Sequence, residues 1–288
     1  MLKKRIIAVI LVKDGVVVQS IGFRKFLPIG RPEIALEFLT SWGIDEIIYL
    51  DISASKEDLS PNYDLIRKSA RKCYVPLTVG GGIRNTSQVS ELMNAGADKV
   101  SVNQASLNDI KLISKIASLY GNQCVVASVD VVKTENGYKV YDYVNKKSTT
   151  ESPIDFAKKL SDSGAGEIFL NSVDRDGSYK GYDIELICSI SDAVNIPVIC
   201  CGGAKNGKDI ETVFEKSNVS AAAAGNFFHF TEHSVNITKS VVSKKENIRL
   251  ETYADYIDSK FDSDLRLAKK ADRDLEEMLF LRIEKEVI

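Results

Sequence analysis

One aspartate interrupts an otherwise apolar segment in the middle of the chain. The segment is "VVASVDVVKT" (125–134), and its sixth residue is Asp130. Apolar surroundings can raise the pKa of a carboxyl group, which fits it for proton transfer near neutral pH. The alternative is a structural aspartate that accepts hydrogen bonds from loop N–H groups. Asp176, in "VDRDG" (173–177), is a second candidate with the same two interpretations.

A very similar segment near the N-terminus lacks this carboxylate. "IIAVILVKDG" (6–15) has the same pattern 119 residues earlier, with Leu11 at the position of Asp130. A leucine side chain neither donates nor accepts a proton. An acid–base pair built on these two segments would therefore have one functional member.

Few other residue types are available for chemistry. The 288 residues include two histidines, close together in "FFHFTEHS", and five cysteines without a C-x-x-C pair. A histidine-centred triad, a zinc site and a disulfide framework are therefore not expected. We predict no metal and no organic cofactor, and we interpret the cysteines as buried thiols in a reducing cytoplasm.

Charge and hydropathy exclude two classes of partner. The formal net charge of −2 gives no reason to expect nucleic acid. No apolar run reaches the ~20 residues that a membrane span needs. The basic and apolar start, "MLKKRIIAVILVKDG", has no small-residue cleavage site, so we do not expect a signal peptide.

Short apolar runs alternate with amphipathic segments along the first 250 residues. The eight runs are 6–12, 46–53, 76–82, 99–103, 124–132, 167–174, 197–203 and 221–227. The helical patterns between them are 31–43, 86–97, 109–121, 153–165, 182–194 and 207–217. Near-continuous apolar runs are typical of parallel strands buried on both faces. The count predicts an α/β TIM (β/α)8 barrel. A doubly wound open sheet is the alternative, but its G-x-G-x-x-G loop is missing.

The chain also repeats itself at half its barrel length. "VGGGI" (79–83) matches "CCGGA" (200–204) at an offset of 121, close to the offset of the first pair of segments. Two half-barrels of four strands each are therefore predicted. Equivalent positions of the two halves should then lie opposite each other across the barrel mouth.

Glycines at the ends of the predicted strands could bind anions. Gly81, Gly82, Gly202 and Gly203 form two Gly-Gly pairs, and "AAGN" (223–226) adds Ala224 and Gly225 after the eighth strand. Without side chains, backbone N–H groups approach a phosphate closely. One such pair is usually just a turn. Two Gly-Gly pairs at equivalent places in the repeat predict a ligand that is phosphorylated at both ends.

Four charged residues occur at the opposite ends of the strands. Arg5, Glu46, Lys99 and Glu167 each begin or directly precede an apolar run. Two cations and two anions at the bottom of a barrel are most simply a ring of surface salt bridges. A functional role is the alternative.

The composition changes after Leu250. Residues 252–288 contain neither Gly nor Pro, are highly charged, and carry apolar residues near helical spacing. We therefore predict a barrel over 1–250 and a helical extension over 251–288. The extension either packs on the barrel flank or contacts another subunit.

Several motifs together resemble one known family. They include "VKDG" (12–15), "EIIYLDISAS" (46–55), "GADKVSVN" (96–103) and "GAGEIFLNSVDRDGSYKGYD" (164–183). The chain is similar to HisF, the cyclase subunit of imidazole glycerol phosphate synthase, over roughly residues 1–250. The resemblance implies a TIM barrel with two phosphate sites and a HisH-like glutaminase partner at the bottom. That partner supplies ammonia, with which family members split a bisphosphorylated intermediate in histidine synthesis.

Individual positions follow from the resemblance. The family's ammonia gate matches Arg5, Glu46, Lys99 and Glu167, and a glutaminase-contacting position matches Asp98. Asp130 matches one of two catalytic aspartates, and Asp176 matches a site aspartate. Its phosphate-binding positions match Gly81, Gly82, Asn103, Gly177, Gly202, Gly203, Ala224 and Gly225.

The chain departs from the family at several site positions. Leu11 replaces the second catalytic aspartate, Gln19 replaces a first-loop lysine, and Gln104 replaces a threonine. Cys201 and Gly225 stand where serines are usual. These changes resemble the WbuZ group of second HisF copies, which occur with a glutaminase and an N-acetyl sugar amidotransferase in surface-polysaccharide loci.

Three functions are compatible with this pattern. In the first, the barrel passes ammonia to the amidation of a polysaccharide sugar, and Leu11 impairs its cyclase (lyase) activity. In the second, it is an authentic histidine-pathway cyclase that uses Asp130 and a substitute acid such as Asp51 or Asp176. In the third, it is a non-catalytic scaffold whose C-terminal extension recruits the amidotransferase.

Overall fold

The computed structural model describes residues 3–55, 57, 59–231, 233–243, 245–250, 260–263, 265–268, 271 and 273–274. Its strands are β1 (Arg5–Lys13), β2 (Val16–Ile21), β3 (Lys25–Gly30), β4 (Glu46–Asp51), β5 (Leu77–Gly80), β6 (Lys99–Val102), β7 (Val125–Thr134), β8 (Gly137–Asp142), β9 (Lys147–Ser148), β10 (Glu167–Ser172), β11 (Val198–Cys201) and β12 (Ala221–Ala224). Eight of them pair in parallel in the order β1-β4-β5-β6-β7-β10-β11-β12, and β12 pairs again with β1. This closed ring confirms the predicted TIM barrel.

Ten helices accompany the barrel in the described residues. They are α1 (Pro32–Ser41), α2 (Tyr63–Ala70), α3 (Thr86–Asn94), α4 (Gln104–Asn108), α5 (Lys111–Tyr120), α6 (Pro153–Asp162), α7 (Ile184–Ser191), α8 (Gly207–Lys216), α9 (Asn226–Phe230) and α10 (Ser234–Val242). Local signals start several of them: Pro32 and Pro153 open α1 and α6, and the Asn85 side chain caps α3. All six predicted helices are present. The sequence patterns did not predict four further helices, which are α2, α4, α9 and α10.

Side chains alternate between two apolar layers. One layer fills the barrel interior and contains Ile7, Val9, Ile48, Val126, Phe169, Ile199, Ala221 and Ala223. The other lies between the outer face of the barrel and the helices, and includes Ile6, Ile10 and Leu36. Because both faces of each strand are buried, the strands read as continuous apolar runs in the sequence.

Two strands continue beyond the barrel into antiparallel hairpins. β1 pairs with β2, which pairs with β3, and β7 pairs with β8, which pairs with β9. An aspartate at the end of the fifth barrel strand would be the simplest arrangement for a site at the barrel mouth, but Asp130 lies within its strand, because β7 runs on to Thr134 to pair with β8. The two hairpins occur at equivalent places in the two halves, in agreement with the internal repeat.

Two further expectations concern the cysteines and the C-terminal residues. Cys200 is buried, but Cys73, Cys124, Cys188 and Cys201 are partly exposed, so the expectation of five buried thiols was wrong. Cys124 directly precedes β7, Cys201 ends β11, Cys73 follows α2, and Cys188 lies within α7. Most of the predicted extension at 251–288 lies outside the described residues.

No helix in the described part of the chain is long and apolar enough to cross a membrane.

A buried ion pair ties α10 to the barrel. Lys239 Nζ lies 2.6 Å from Asp45 Oδ1, and the two side chains are 3% and 4% exposed. The other carboxylate oxygen of Asp45 accepts a hydrogen bond from the Ile6 N–H at 2.7 Å. Burial itself raises the pKa of Asp45, so the ionised form depends on its partners.

We expect Lys239→Met to destabilise the fold by about 3–5 kcal/mol, because it leaves a buried carboxylate without its cation. Chemical denaturation followed by circular dichroism measures the loss. Lys245→Met is the matched control, since Lys245 pairs with Glu215 at 2.8 Å on the surface. Equal effects of the two substitutions would contradict this account of α10.

Candidate active site

The carboxyl ends of the barrel strands enclose one pocket that contains the predicted catalytic and phosphate-binding positions. Its wall includes Leu11, Gly81, Gly82, Asn103, Asp130, Asp176, Gly177, Gly202, Gly203, Ala224 and Gly225. Three strands separate β1 from β7 in either direction around the barrel. Leu11 and Asp130 therefore belong to opposite walls. The Gly81–Gly82 and Gly202–Gly203 pairs also face each other, as the repeat predicted.

Asp130 is buried and fully engaged in hydrogen bonds. Asn103 Nδ2 donates to its Oδ2 at 2.9 Å, and Asn171 Nδ2 donates to its Oδ1 at 3.0 Å. Burial raises the pKa of Asp130 to about 6, while the bonds from Asn171 and Asn103 oppose this rise. A group with this pKa exchanges protons readily near neutral pH. Side-chain amides, not loop N–H groups, satisfy this carboxylate.

Leu11 forms an apolar patch on the other wall. Like Leu50 and Cys201, it packs against the apolar layer of the barrel interior. In the backbone register, Leu11 lies beside Leu50 just as Asp130 lies beside Asn171. The two equivalent walls therefore differ in chemistry. Asp130 gives one wall a hydrogen-bonded carboxylate, and Leu11 gives the other a hydrocarbon side chain.

Asp176 holds a loop in place. Its Oδ2 accepts hydrogen bonds from Ser20 Oγ at 2.6 Å and from the Phe23 N–H at 3.1 Å. Burial raises the pKa of Asp176. These bonds attach the β2–β3 hairpin to the barrel mouth. The structural interpretation of Asp176, as an aspartate satisfied by loop groups, thus describes its contacts.

Asp51, the other potential substitute acid, is held in a similar way. Its Oδ1 accepts hydrogen bonds from the Ser53 N–H and hydroxyl, at 3.0 and 2.8 Å, and from the Ala54 N–H at 3.2 Å. These bonds fold the loop after β4. Asp51 still contributes to the pocket wall.

Both hairpins contribute aromatic rings to the pocket region. Phe23 packs edge-to-face against Tyr143 and Tyr141, with ring centroids 6.0 and 6.5 Å apart. Sequence reasoning missed these residues, although a signal was present: Asp14–Gly15 is a D-G turn, and both residues have positive φ (51° and 79°). The departure at Gln19 lies outside the pocket wall, where its Nε2 donates to Tyr179 Oη at 3.4 Å.

The glycine pairs follow their strands in conformations that other residues rarely adopt. Gly81 and Gly203 have φ values of +109° and +101°. A Cβ atom on Gly81 would lie 2.2 Å from the Asp51 carbonyl oxygen, and one on Gly203 would lie 2.2 Å from that of Gly181. The two loops therefore require glycine for close backbone packing, and they present bare main chain to the pocket.

A closed ring of ion pairs lies at the other end of the barrel. Arg5 bonds to Glu46 at 2.7 Å and to Glu167 at 2.8 Å, and Lys99 bonds to the same two carboxylates at 3.3 and 2.6 Å. Burial alone would raise the pKa of Glu167. The cations of Arg5 and Lys99 outweigh this effect and hold the pKa below its usual value. The exposed Asp98 precedes Lys99, and its Oδ2 accepts the Leu77 N–H at 2.8 Å.

Within the described residues, no group of three or more His, Cys, Asp or Glu side chains could hold a metal ion. The polar atoms of the pocket are amides, hydroxyls and carboxylates arranged for hydrogen bonding. The site therefore consists of Asp130, its two asparagines, and two glycine loops in a barrel mouth.

A closed (β/α)8 barrel with a carboxylate and glycine loops at its strand ends defines a class of barrel proteins that act on small molecules. Comparison with known proteins identifies the family. The model "Histidine biosynthesis protein" matches residues 5–234. The chain belongs to this histidine-biosynthesis family and is a HisF-like subunit of the imidazole glycerol phosphate synthase type.

Individual relatives support the same family assignment. A Vibrio vulnificus protein, provisionally named imidazole glycerol phosphate synthase subunit hisF2, is 43% identical over 257 residues, which cover 89% of this chain and 94% of that protein. HisF of Clostridium botulinum (strain Langeland) is 42% identical over 247 residues, 85% of this chain and 98% of that protein. A similarly named hisF2 protein of Pseudomonas aeruginosa is 40% identical over 231 residues, 80% of this chain and 92% of that protein.

We expect Asn171→Leu to raise the pKa of Asp130 by about one unit, because the carboxylate loses a donor that favours its charged form. Titration of selectively labelled aspartate carboxyl carbons by NMR measures it. Asn145→Leu is the control, since Asn145 donates to Asp142 instead. An unchanged pKa in Asn171→Leu would contradict the assigned environment.

The raised pKa of Asp130 in the unmodified chain also affects the stability of the fold. In the folded chain Asp130 keeps its proton up to a pH of about 6, whereas an unfolded aspartate releases it near pH ~3.9. The folded state therefore binds more protons between these values. The contribution of Asp130 to the free energy of unfolding should decrease as the pH rises through this window.

Proposed function

We propose that this chain is the ammonia-accepting subunit of a two-component amidotransferase, and that its own cyclase activity is impaired. One contrast carries the proposal. The ion-pair ring at the barrel bottom is complete, while Leu11 replaces one carboxylate of the pair at the barrel mouth. The features associated with receiving ammonia are retained, and a feature associated with cyclisation is lost.

The ring would serve as the entrance for ammonia. Its two cations and two anions balance each other, so the ring carries no net charge. A neutral molecule such as ammonia would therefore meet no net charge at the barrel axis. From Lys99, inward-facing positions continue to Ser101 and Asn103, and Ser128 lies next to Asn103 at 3.2 Å. Ser101 and Ser128 are buried, so polar side chains occupy one side of the interior between the ring and Asp130.

A HisH-like glutaminase is the partner we propose for the barrel bottom. Asp98 lies at this end, is exposed, and has its backbone fixed by the hydrogen bond from its N–H to the Leu77 carbonyl at 2.8 Å. A rigid, exposed carboxylate beside the ring suits a polar contact with another subunit.

Leu11 accounts for the proposed loss of cyclase activity. If cyclisation uses one carboxylate as acid and another as base, removal of one typically costs about 10²–10⁴-fold in rate. The retained ammonia entrance would then supply another acceptor. Amidation of a surface-polysaccharide sugar, with an N-acetyl sugar amidotransferase as a further partner, is the acceptor reaction we propose. The hisF2 names of two relatives are compatible with such a second copy.

One observation favours a second function, that of an authentic cyclase in histidine biosynthesis. The Asp130 site is complete, and its pKa of about 6 suits it to act as acid and base in turn. The possible substitute acids, Asp51 and Asp176, are already occupied with loop hydrogen bonds. The scaffold function depends on residues 251–288, which mostly lie outside the described part of the chain.

The glutaminase contact is testable by charge reversal. We expect the chain to form a one-to-one complex with a HisH-type glutaminase of the same organism, and Asp98→Lys to weaken it by about tenfold or more, ~1.4 kcal/mol. Calorimetric titration measures the dissociation constant. Asp64→Lys is the control, because Asp64 is also exposed but lies in the first turn of α2, away from the ring.

Two results would contradict the proposal. One is the absence of any complex between the unmodified chain and the glutaminase. The other is an equal loss of affinity in both variants, which would place the contact away from the ring.

A further inference from the structure

Helix α10 is buried on every side. All nine of its residues are buried, although five of them are polar. The other helices of eight or more residues bury only two to five residues each; they are α1, α2, α3, α5, α6, α7 and α8. A helix on the outside of a barrel normally leaves one face to solvent. Another part of the molecule must therefore cover the outer face of α10.

The outward residues of α10 follow from its inward contacts. Val235 and Val242 belong to the apolar layer between the barrel and the helices. Because a helix turns by about 100° per residue, Ile237 and Ser240 point within about 30° of the opposite direction. Both are nevertheless buried, with exposed fractions of 2% and 7%. Within the described residues, Ile237 is not part of the apolar layer that holds Val235, so its burial comes from the outer side.

The described neighbours of α10 contact its side and its first end. A Cβ atom on Gly207 of α8 would lie 3.0 Å from Thr238 Cα. The Trp42 ring, at the end of α1, lies 6.3 Å from the ring of His233, which directly precedes α10. Neither contact involves the outward residues. The helices of a TIM barrel form a single outer ring, so no other barrel helix lies outside α10.

The chain that follows α10 starts close to this face. The Lys4 N–H donates to the Asn247 carbonyl at 2.9 Å, so the chain passes the start of β1 at the barrel bottom. Residues 251–288 then follow. The nine residues of α10 span about 13.5 Å, a distance that four or five extended residues at ~3.3 Å each can cover. The segment is therefore long enough to reach the outward residues from the foot of α10.

This segment also has apolar residues to contribute. The stretches "YADYI" (253–257) and "LEEMLFLRI" (275–283) contain most of them. Between these stretches, the described residues 260–263 and 265–268 are mostly exposed. The apolar stretches on either side of them are thus the available source of the cover.

We infer that the C-terminal residues 251–288 pack across the outward face of α10 and complete the flank of the barrel. The exposure of α10 is that of one chain, so the covering atoms belong to the same chain. The inference goes beyond the proposed function, because it concerns the helix layer and neither the pocket nor the ring. It gives the extension a place on the barrel itself, whereas the scaffold function requires it to bind another protein.

A charge introduced at matched isoleucines of the full chain tests the burial of this face. We expect Ile237→Lys to lower the melting temperature by about 5 °C or more, because the ammonium group would be buried without a partner. Ile34→Lys on α1 is the control, since Ile34 is 48% exposed, and it should change the melting temperature by about 1 °C or less. Differential scanning calorimetry measures both.

Photo-cross-linking of the full chain identifies the segment that covers α10. Photo-leucine in place of Ile237 has nearly the same shape, and after illumination the monomer should contain cross-links from this position to residues after Leu250. Mass spectrometry locates them. The same probe at Leu119 is the control, because Leu119 is exposed on α5, which follows β6 on the opposite side of the barrel from β12. It should give no cross-links to these residues.

Three results would overturn the inference. The first is a loss of melting temperature in Ile237→Lys no greater than that in Ile34→Lys. The second is cross-linking from position 237 only to residues before Leu250, and the third is cross-linking that joins two chains. None of them bears on the glutaminase complex, which the Asp98→Lys titration measures separately.

Discussion

Every second residue of a barrel strand must fill the barrel interior, and the rest of the molecule follows from this alternation. On β1 the inward positions begin with Arg5 in the ion-pair ring and end with Leu11 in the pocket. On β7 they run through Ser128 to Asp130. The ion-pair ring, the apolar interior and the pocket wall are therefore successive levels of the same columns of side chains. A change of register by one residue would exchange all of them for the helix-facing layer.

This periodicity explains why much of the fold was predictable. Continuous apolar runs marked the eight strands, and residues at their first and last inward positions marked the ring and Asp130. The internal repeat alone predicts that Leu11 lies opposite Asp130. The hairpins were harder to find, because Val16–Ile21 and Lys25–Gly30 are partly exposed and carry a weak apolar signal. Their D-G turn was the available signal.

Other features depend on contacts between distant segments, which no local pattern encodes. The role of Asp176 in holding the β2–β3 hairpin required Ser20, 156 residues away. The environment of Asp130 required Asn103 and Asn171, which lie 27 and 41 residues away.

The two ends of the barrel have thus diverged to different degrees. At the bottom, four charges satisfy one another, so replacing one would leave the partly buried ring with an unbalanced charge. At the mouth, Leu11 is accommodated at little cost because it packs against the apolar layer of the barrel interior. The mouth can change its chemistry while the bottom stays fixed, which is consistent with a family member that receives ammonia and uses it differently.

Turnover of the bisphosphorylated histidine intermediate with excess ammonium tests the central claim most directly. The purified chain would be compared with Leu11→Asp, which restores the second carboxylate, and with Leu11→Asn, which has nearly the same shape but cannot ionise. The account predicts that Leu11→Asp is about 10²-fold or more faster than the other two. Equal turnover by the unmodified chain and Leu11→Asp would contradict it and would establish Asp130 as sufficient for cyclisation.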